Sequence, residues 1–237
     1  MKIVFIGAGN LATHLSKALK NANFELVQVY SRTESSAREL AGMLQVPYST
    51  DIGAVVTDAS LYIVSVSDDA IGFVAERLPL TDGLVVHTAG SVPMNIFAGK
   101  LSNYGVLYPL QSFSKTRTVD FSRIPVFIEA NTPANLQLLR DVAGTISDKL
   151  YPATSEERMQ LHLAAVFGCN FVNHLYHLAA QLTQQAGFKF EILSQLILET
   201  ACKAIALGNP KHTQTGPAIR GDQEVMRKHL ELLATRP

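Results

Sequence analysis

Cysteine is scarce: only Cys169 and Cys202 occur in 237 residues. Both fall inside apolar helical patterns, so the expectation is buried free thiols in a reducing cytoplasm. Neither sign of charge is in excess, with 20 Lys and Arg against 20 Asp and Glu. That balance leaves no electrostatic footprint for nucleic acid or an anionic membrane. Long apolar runs are missing as well, and none approaches the ~20 residues a membrane span requires. The opening stretch MKIVFIGAGNLATHLSKAL has the charge-then-apolar order of a secretion signal. Its apolar run, residues 3–8, is shorter than the ~7–15 residues of a signal core, and Asn10, Thr13 and His14 follow without a cleavage-like segment. The chain is therefore expected to be cytoplasmic, with no nucleic-acid or membrane partner.

What is present is ordinary globular material, 47% hydrophobic and 17% charged. The length suits a domain of common size followed by a smaller one. Short β-rich runs at residues 3–6, 26–30, 61–66, 84–87, 105–108, 125–128 and 146–151 are interleaved with helical patterns at 10–20, 34–44, 69–78 and 133–143. Apolar strands alternating with helices predict an α/β fold with a mostly parallel, doubly wound sheet covered on both faces. Such sheets bind ligands beyond the carboxyl ends of their strands, where the strand order reverses. After Pro152 the strands stop, which divides the chain into 1–152 and an all-helical 153–237.

Thr154 and Glu157 have the spacing of a capping box, so a helix is expected from Ser155 to Gln185, with Gly187 ending it. At 1.5 Å per residue that helix is roughly 45 Å long. Its middle, LAAVFGCNFVNHLYHLAA, is apolar almost all the way round. Two further helices are expected, at 190–207 and 223–234, the last behind Asp222 as N-cap. So small a helical unit cannot wrap such a rod on every side. The remaining surface should meet the first domain or a second copy, and a homodimer is expected.

Gly7-Ala8-Gly9-Asn10-Leu11-Ala12 reads G-x-G-x-x-A, between the first strand and first helix of a β–α–β unit. Gly7 permits the tight turn, Gly9 lets a diphosphate approach the bare backbone, and Ala12 lets the helix lie close to the strand. The N–H groups at Asn10 and Leu11 then attract phosphate. This is the grip of a Rossmann-type dinucleotide site. Where an NAD site carries Asp or Glu, at the end of the second strand, this chain has Ser31-Arg32-Thr33. A carboxylate would repel a 2′-phosphate, whereas a guanidinium holds one with paired charge-assisted bonds and the two hydroxyls add donors. NADP is expected rather than NAD.

The segments GAGNLA, VYSRT, SLYIVSVSDDAI, HTAGS, YPLQSFS, HLAAVFGCNF and TGPAIRGD together resemble the Rossmann-like NADP oxidoreductases with a C-terminal helical domain of unassigned function. That group is related to pyrroline-5-carboxylate reductase, to deazaflavin-dependent NADP reductases and to the 6-phosphogluconate dehydrogenase superfamily. The resemblance covers nearly the whole chain and implies a dimer formed through the C-terminal helices. In the hydroxyacid dehydrogenase branch the long helix carries a catalytic lysine followed three residues later by asparagine. Here Asn170 and Asn173 are the best match, and an amide cannot act as general acid. That argues against simple β-hydroxyacid oxidation.

The nicotinamide should lie near the ends of the fourth and fifth strands. Ser65, Val66 and Ser67 are expected to contact cofactor through their backbone. His87, at a strand end, is the first candidate proton donor, or else a satisfied core histidine; Ser91 binds substrate or caps a helix. Gln111 and Ser112 are candidate substrate hydrogen-bonders. On the long helix Asn170 and His174 form a polar stripe with Asn173 and His177, and the first two are expected in a wet cleft. No third ligand stands near His174 and His177, so no metal is expected. Arg220, in a polar loop at 211–222, pairs either with a substrate anion or with a neighbouring acid. The function expected is hydride transfer between NADPH and a small carbonyl or imine held between the domains. The alternatives are hydride exchange with a deazaflavin or flavin, and an NADP-holding redox sensor.

Overall fold

The computed structural model describes residues 1–79 and 81–234. The chain forms two compact units, Met1–Cys169 and a second beginning at Asn170.

In the first unit, β1 (Lys2–Ile6) shows why the opening run is apolar throughout. Alternate residues face opposite sides of a strand. Ile3 and Phe5 enter one core, and Val4 and Ile6 enter a second on the other face. Helix α1 (Asn10–Asn21) packs on the first face through Ala12, Leu15 and Leu19. Then follow β2 (Glu25–Tyr30), α2 (Glu34–Leu44), a two-residue β3 (Tyr48–Ser49), β4 (Leu61–Val64), α3 (Asp68–Arg77), β5 (Leu84–His87) and β6 (Tyr104–Pro109). The unit continues with β7 (Val126–Ala130), α4 (Pro133–Gly144), β8 (Leu150–Pro152) and α5 (Ser155–Ala165).

The eight strands are ordered β3-β2-β1-β4-β5-β6-β7-β8. Every pairing is parallel except β6 with β7, where Gly105 faces Ala130 and Pro109 faces Val126. The order reverses between β1 and β4, which lie in register from Ile3–Leu61 to Ile6–Val64. β3 was not among the expected strands, because two residues carry no periodicity. The last strand is confined to Leu150–Pro152.

The capping box forms as its spacing requires: Thr154 Oγ1 accepts from Glu157 N at 3.2 Å, and Glu157 Oε2 accepts from Thr154 N at 2.8 Å. The expected single helix is interrupted, however. After α5 the backbone widens into a π-helical turn, Val166–Phe171, before α6 (Val172–Gln185) resumes. A π turn leaves the apolar pattern unbroken, so spacing alone does not reveal it. Gly187, at φ +82°, closes the helix.

The second unit continues with α7 (Ser194–Ala206), α8 (Pro217–Arg220) and α9 (Gln223–Ala234). The stretch expected to be only a polar loop holds α8. Asp222 Oδ1 accepts from Val225 N at 3.2 Å and caps α9. None of the described residues of this unit is buried, and Leu196 and Ile205 are 65% and 81% exposed. The thiols of Cys169 and Cys202 are free but exposed, against expectation. Apolar helical spacing buries a residue only where another surface covers that face. Among the described residues no helix is long and apolar enough to cross a membrane.

Candidate active site

A cleft of about 610 Å³ opens in the first unit at the carboxyl ends of β1 and β4, where the strand order reverses. Its floor is set by backbone pairing: Gly7 N donates to Tyr30 O at 2.7 Å, and Ser65 N to Ile6 O at 2.7 Å. Gly7 has φ +114°, and a Cβ there would stand 2.0 Å from Ser65 O. Only glycine allows β1 and β4 to close this turn. A Cβ on Gly9 would meet nothing within 4 Å, so the backbone faces open space. No side chain caps the first turn of α1. Bare N–H groups at an uncapped helix start, beside a glycine facing open space, suit a diphosphate.

Gly7, Gly9, Asn10 and Leu11 line this end of the cleft, while Ala12 is buried beneath it against the sheet. Ser31, Arg32 and Thr33 line it beyond β2, joined by Ser36 from α2, which the sequence reading did not single out. Arg32 carries its charge close enough to act on Asp69. That carboxyl is held below its usual range, first by a hydrogen bond from Ser67 and further by Arg32. Ser65, Val66 and Ser67 form the wall above β4.

The far end is built from Thr88, Ala89, Gly90, Tyr108, Gln111 and His162. His87 is not part of it. The ring is fully buried, 5.6 Å from the Phe97 ring, and accepts from Ala89 N at Nδ1 over 3.2 Å. Among the described residues its Nε2 has no hydrogen-bond partner. A proton donor must reach the reacting atom, and this ring lies under the cleft wall. The reason is that β5 is covered on both faces, so a strand-end residue can point into a core as readily as into a ligand site.

Burial, with a smaller push from Arg158, lowers the His87 pKa from its ordinary 6.5 to about 3; the Pro93 carbonyl opposes this weakly. Between these values the unfolded chain binds a proton that the folded chain refuses. Stability should therefore fall on acidification from pH 6.5 towards about 3, with a slope approaching ~1.4 kcal/mol per pH unit. His87→Asn keeps an acceptor but does not titrate, and denaturant melts across this range are expected to lose that component of the slope.

What shapes the far wall is Arg158, 1% exposed on α5. Its Nη1 donates to Glu129 Oε2 at 2.5 Å, Nη2 to Val92 O at 2.5 Å, and Nε to Ala89 O at 3.2 Å. Ser155 supports the same carboxylate through N at 3.1 Å and Oγ at 2.9 and 3.0 Å. The loop after β5 is thus tied to β7 and α5 by one satisfied charge pair, a buried guanidinium against a carboxylate that is 17% exposed. Sequence pattern offered no signal for it, since Glu129 and Arg158 meet only when β7 runs antiparallel to β6.

Tyr108 and His162 are the other residues the sequence reading passed over. They meet across the cleft wall, with Oη and Nδ1 3.2 Å apart. Burial holds the Tyr108 phenol above its usual range, with Asp68 adding to the effect and Arg158 opposing it.

The remaining candidates scatter. Gln111 lines the cleft, while Ser112 lies outside the lining and its N donates to Gln111 Oε1 at 2.8 Å. Ser91 also lies outside the lining, and its hydroxyl donates to Asp68. Asn170, His174 and Arg220 are exposed residues of the second unit. Asn173 and His177, which complete the polar stripe, are exposed in the second unit as well. Among the described residues no group of three His, Cys, Asp or Glu side chains could hold a metal.

A reversed-order parallel sheet, a bare glycine turn and a cleft across both define a Rossmann-type dinucleotide-binding protein. Residues 2–90 match the family model described as NADP oxidoreductase coenzyme F420-dependent, and residues 124–237 match a domain of unknown function, DUF2520. The crystal structure of BF3122 from Bacteroides fragilis, named as a candidate NADP oxidoreductase, is 50% identical with TM-score 0.92, over 100% of this chain and 92% of that one. Protein TM1727 from Thermotoga maritima is 26% identical with TM-score 0.79, over 96% and 88%. The 1-pyrroline-5-carboxylate reductase from Streptococcus pyogenes shares the fold, with TM-score 0.71 at 18% identity over 99% and 93%. No curated protein matches the sequence. The chain belongs to this family of NADP oxidoreductases, and its cofactor is NADP.

Proposed function

We propose that this protein reduces a small carbonyl or imine with NADPH. The observation that carries the reading is the single cleft whose glycine turn and Arg32 stand at one end and whose Thr88–Gly90 loop, Tyr108 and His162 stand at the other. The diphosphate lies on Gly7, Gly9, Asn10 and Leu11. Ser31, Arg32 and Thr33 hold the 2′-phosphate, and Ser65–Ser67 guide the cofactor towards the far wall. Bound there, the nicotinamide supplies hydride; the protein supplies orientation and electrostatics. Substrate sits beside Gln111. The test is a fluorescence titration with NADPH and NADH, followed by NADPH oxidation over a panel of small carbonyls and imines. Tight NADPH binding with turnover of at least one compound is expected; absence of NADPH binding ends the reading.

A second reading is favoured by the match of residues 2–90 to a coenzyme F420-dependent domain. In it the hydride passes between NADP and a deazaflavin. NADPH oxidation that needs a deazaflavin and no carbonyl or imine would select it.

We also propose that the second unit forms a homodimer. Support comes from Leu175, Leu196 and Ile205, apolar side chains 60%, 65% and 81% exposed in the single chain. Faces this apolar are seldom left to water. Sedimentation is expected to give twice the chain mass, and Ile205→Glu to shift it towards the single chain. A cytoplasmic setting suits the two free thiols.

A further inference from the structure

One pair of side chains in the cleft received no role from the sequence, although each residue opens a segment that carries the resemblance. Tyr108 lies near the end of β6 and His162 on α5, 54 residues later. Their rings meet edge to face at 6.2 Å. Gly90 lies against both: a Cβ there would stand 2.7 Å from His162 Nδ1 and 2.8 Å from Tyr108 Oη. The missing side chain is what lets the pair sit so close to the loop that faces the cofactor. Both residues line the cleft. A hydrogen-bonded phenol and imidazole open to a ligand cavity are more than a tether between a strand and a helix.

We propose that Tyr108 is the proton donor of the reduction and that His162 resupplies it. This rests on the NADPH-dependent reduction proposed above. When bound, NADPH supplies a hydride to the carbon of a C=O or C=N bond and leaves as NADP⁺. The π electron pair of that bond then moves onto the oxygen or nitrogen. Tyr108 Oη gives its proton to that atom, forming the alcohol or amine. As His162 passes its Nδ1 proton to the phenolate oxygen, its Nε2 takes one from solvent, so the ring stays neutral and exchanges tautomer. One hydride and one proton are consumed for each product formed.

The surroundings fit a donor rather than a base. A phenol is protonated at neutral pH in any case, and burial moves this one further in that direction. The charged groups acting on it are Asp68 at the start of α3, which favours the protonated form, and Arg158 on α5, which opposes it. The Phe127 ring of β7 closes the remaining side at 6.4 Å.

The test has two parts. In the NADP⁺ complex of the full chain, NMR should show contacts between the nicotinamide ring protons and the rings of Tyr108 and His162. With NADPH and either 1-pyrroline or 9,10-phenanthrenequinone as probe, Tyr108→Phe should lower kcat by about 100- to 10,000-fold, with NADPH affinity within about twofold. His162→Asn keeps a hydrogen-bonding amide but cannot relay a proton, so it should lower kcat while leaving KM in place. A saturated NADP⁺ complex without the ring contacts overturns the assignment but not the reductase reading, as does unchanged kcat in Tyr108→Phe. Where neither probe reacts, the ring contacts decide. Failure of NADP⁺ and NADPH to bind removes the reductase reading, and this assignment with it.

Discussion

Arg158→Met is expected to destabilise the protein by about 3–5 kcal/mol, because it leaves the Glu129 carboxylate charged and without its cation. For a chain of this size that is a fall of about 6–20 °C in melting temperature. Two backbone carbonyls, Ala89 O and Val92 O, lose their donors in the same step. A surface pair such as Arg38–Glu34, with both side chains more than half exposed, offers the contrast. Breaking that one should move stability by no more than about 1 kcal/mol. If the loss at Arg158 reflects a stranded charge, adding Glu129→Gln should recover part of it. Denaturant melts of the two single variants and the double variant separate the contributions. A fall of less than about 1 kcal/mol in Arg158→Met would mean that water already reaches this pair.

The second large effect concerns cofactor choice. Arg32→Glu should weaken NADPH binding by about 100-fold or more and leave NADH binding within a few-fold. The proposed 2′-phosphate clamp loses charge-assisted bonds of about 1.5–3 kcal/mol each, offset by solvent screening on the cleft rim. It also gains a carboxylate facing the phosphate. NADH carries only hydroxyls there, which a carboxylate accepts from. Paired calorimetric titrations of both nucleotides check it. Equal losses for the two would show that Arg32 supports the fold of the rim rather than the selection of the phosphate.

The glycine turn was legible because its chemistry is local. Six consecutive residues between a strand and a helix specify where a backbone must be bare, and the close approach of Ser65 O to Gly7 agrees with them. That Arg32 would line the cleft was legible for the same reason, since it stands a fixed step beyond the second strand. His87 stayed open between proton donor and core residue because strand-end position tells how far along the sheet a residue lies, not which face receives it. Tyr108 and His162 went unseen as a pair because only the antiparallel run of β7 brings α5 alongside β6. Neither hydrophobic period nor turn composition encodes that reversal. The apolar character of the long helix and its surplus of uncovered surface were plain, while its π turn was not. Periodicity reports what a face is made of and is silent about what covers it.

The direction of that one strand has a further consequence. Entering at the ligand end and leaving at the opposite edge, β7 and then β8 hand the chain to α5 from below, so the helix climbs back with Ser155 at its foot and His162 higher up. Had the strand run with its neighbours, the helix would have started at the rim and travelled away. Chain polarity at the sheet margin thus fixes which late segment can furnish a wall for chemistry prepared by the first ten residues.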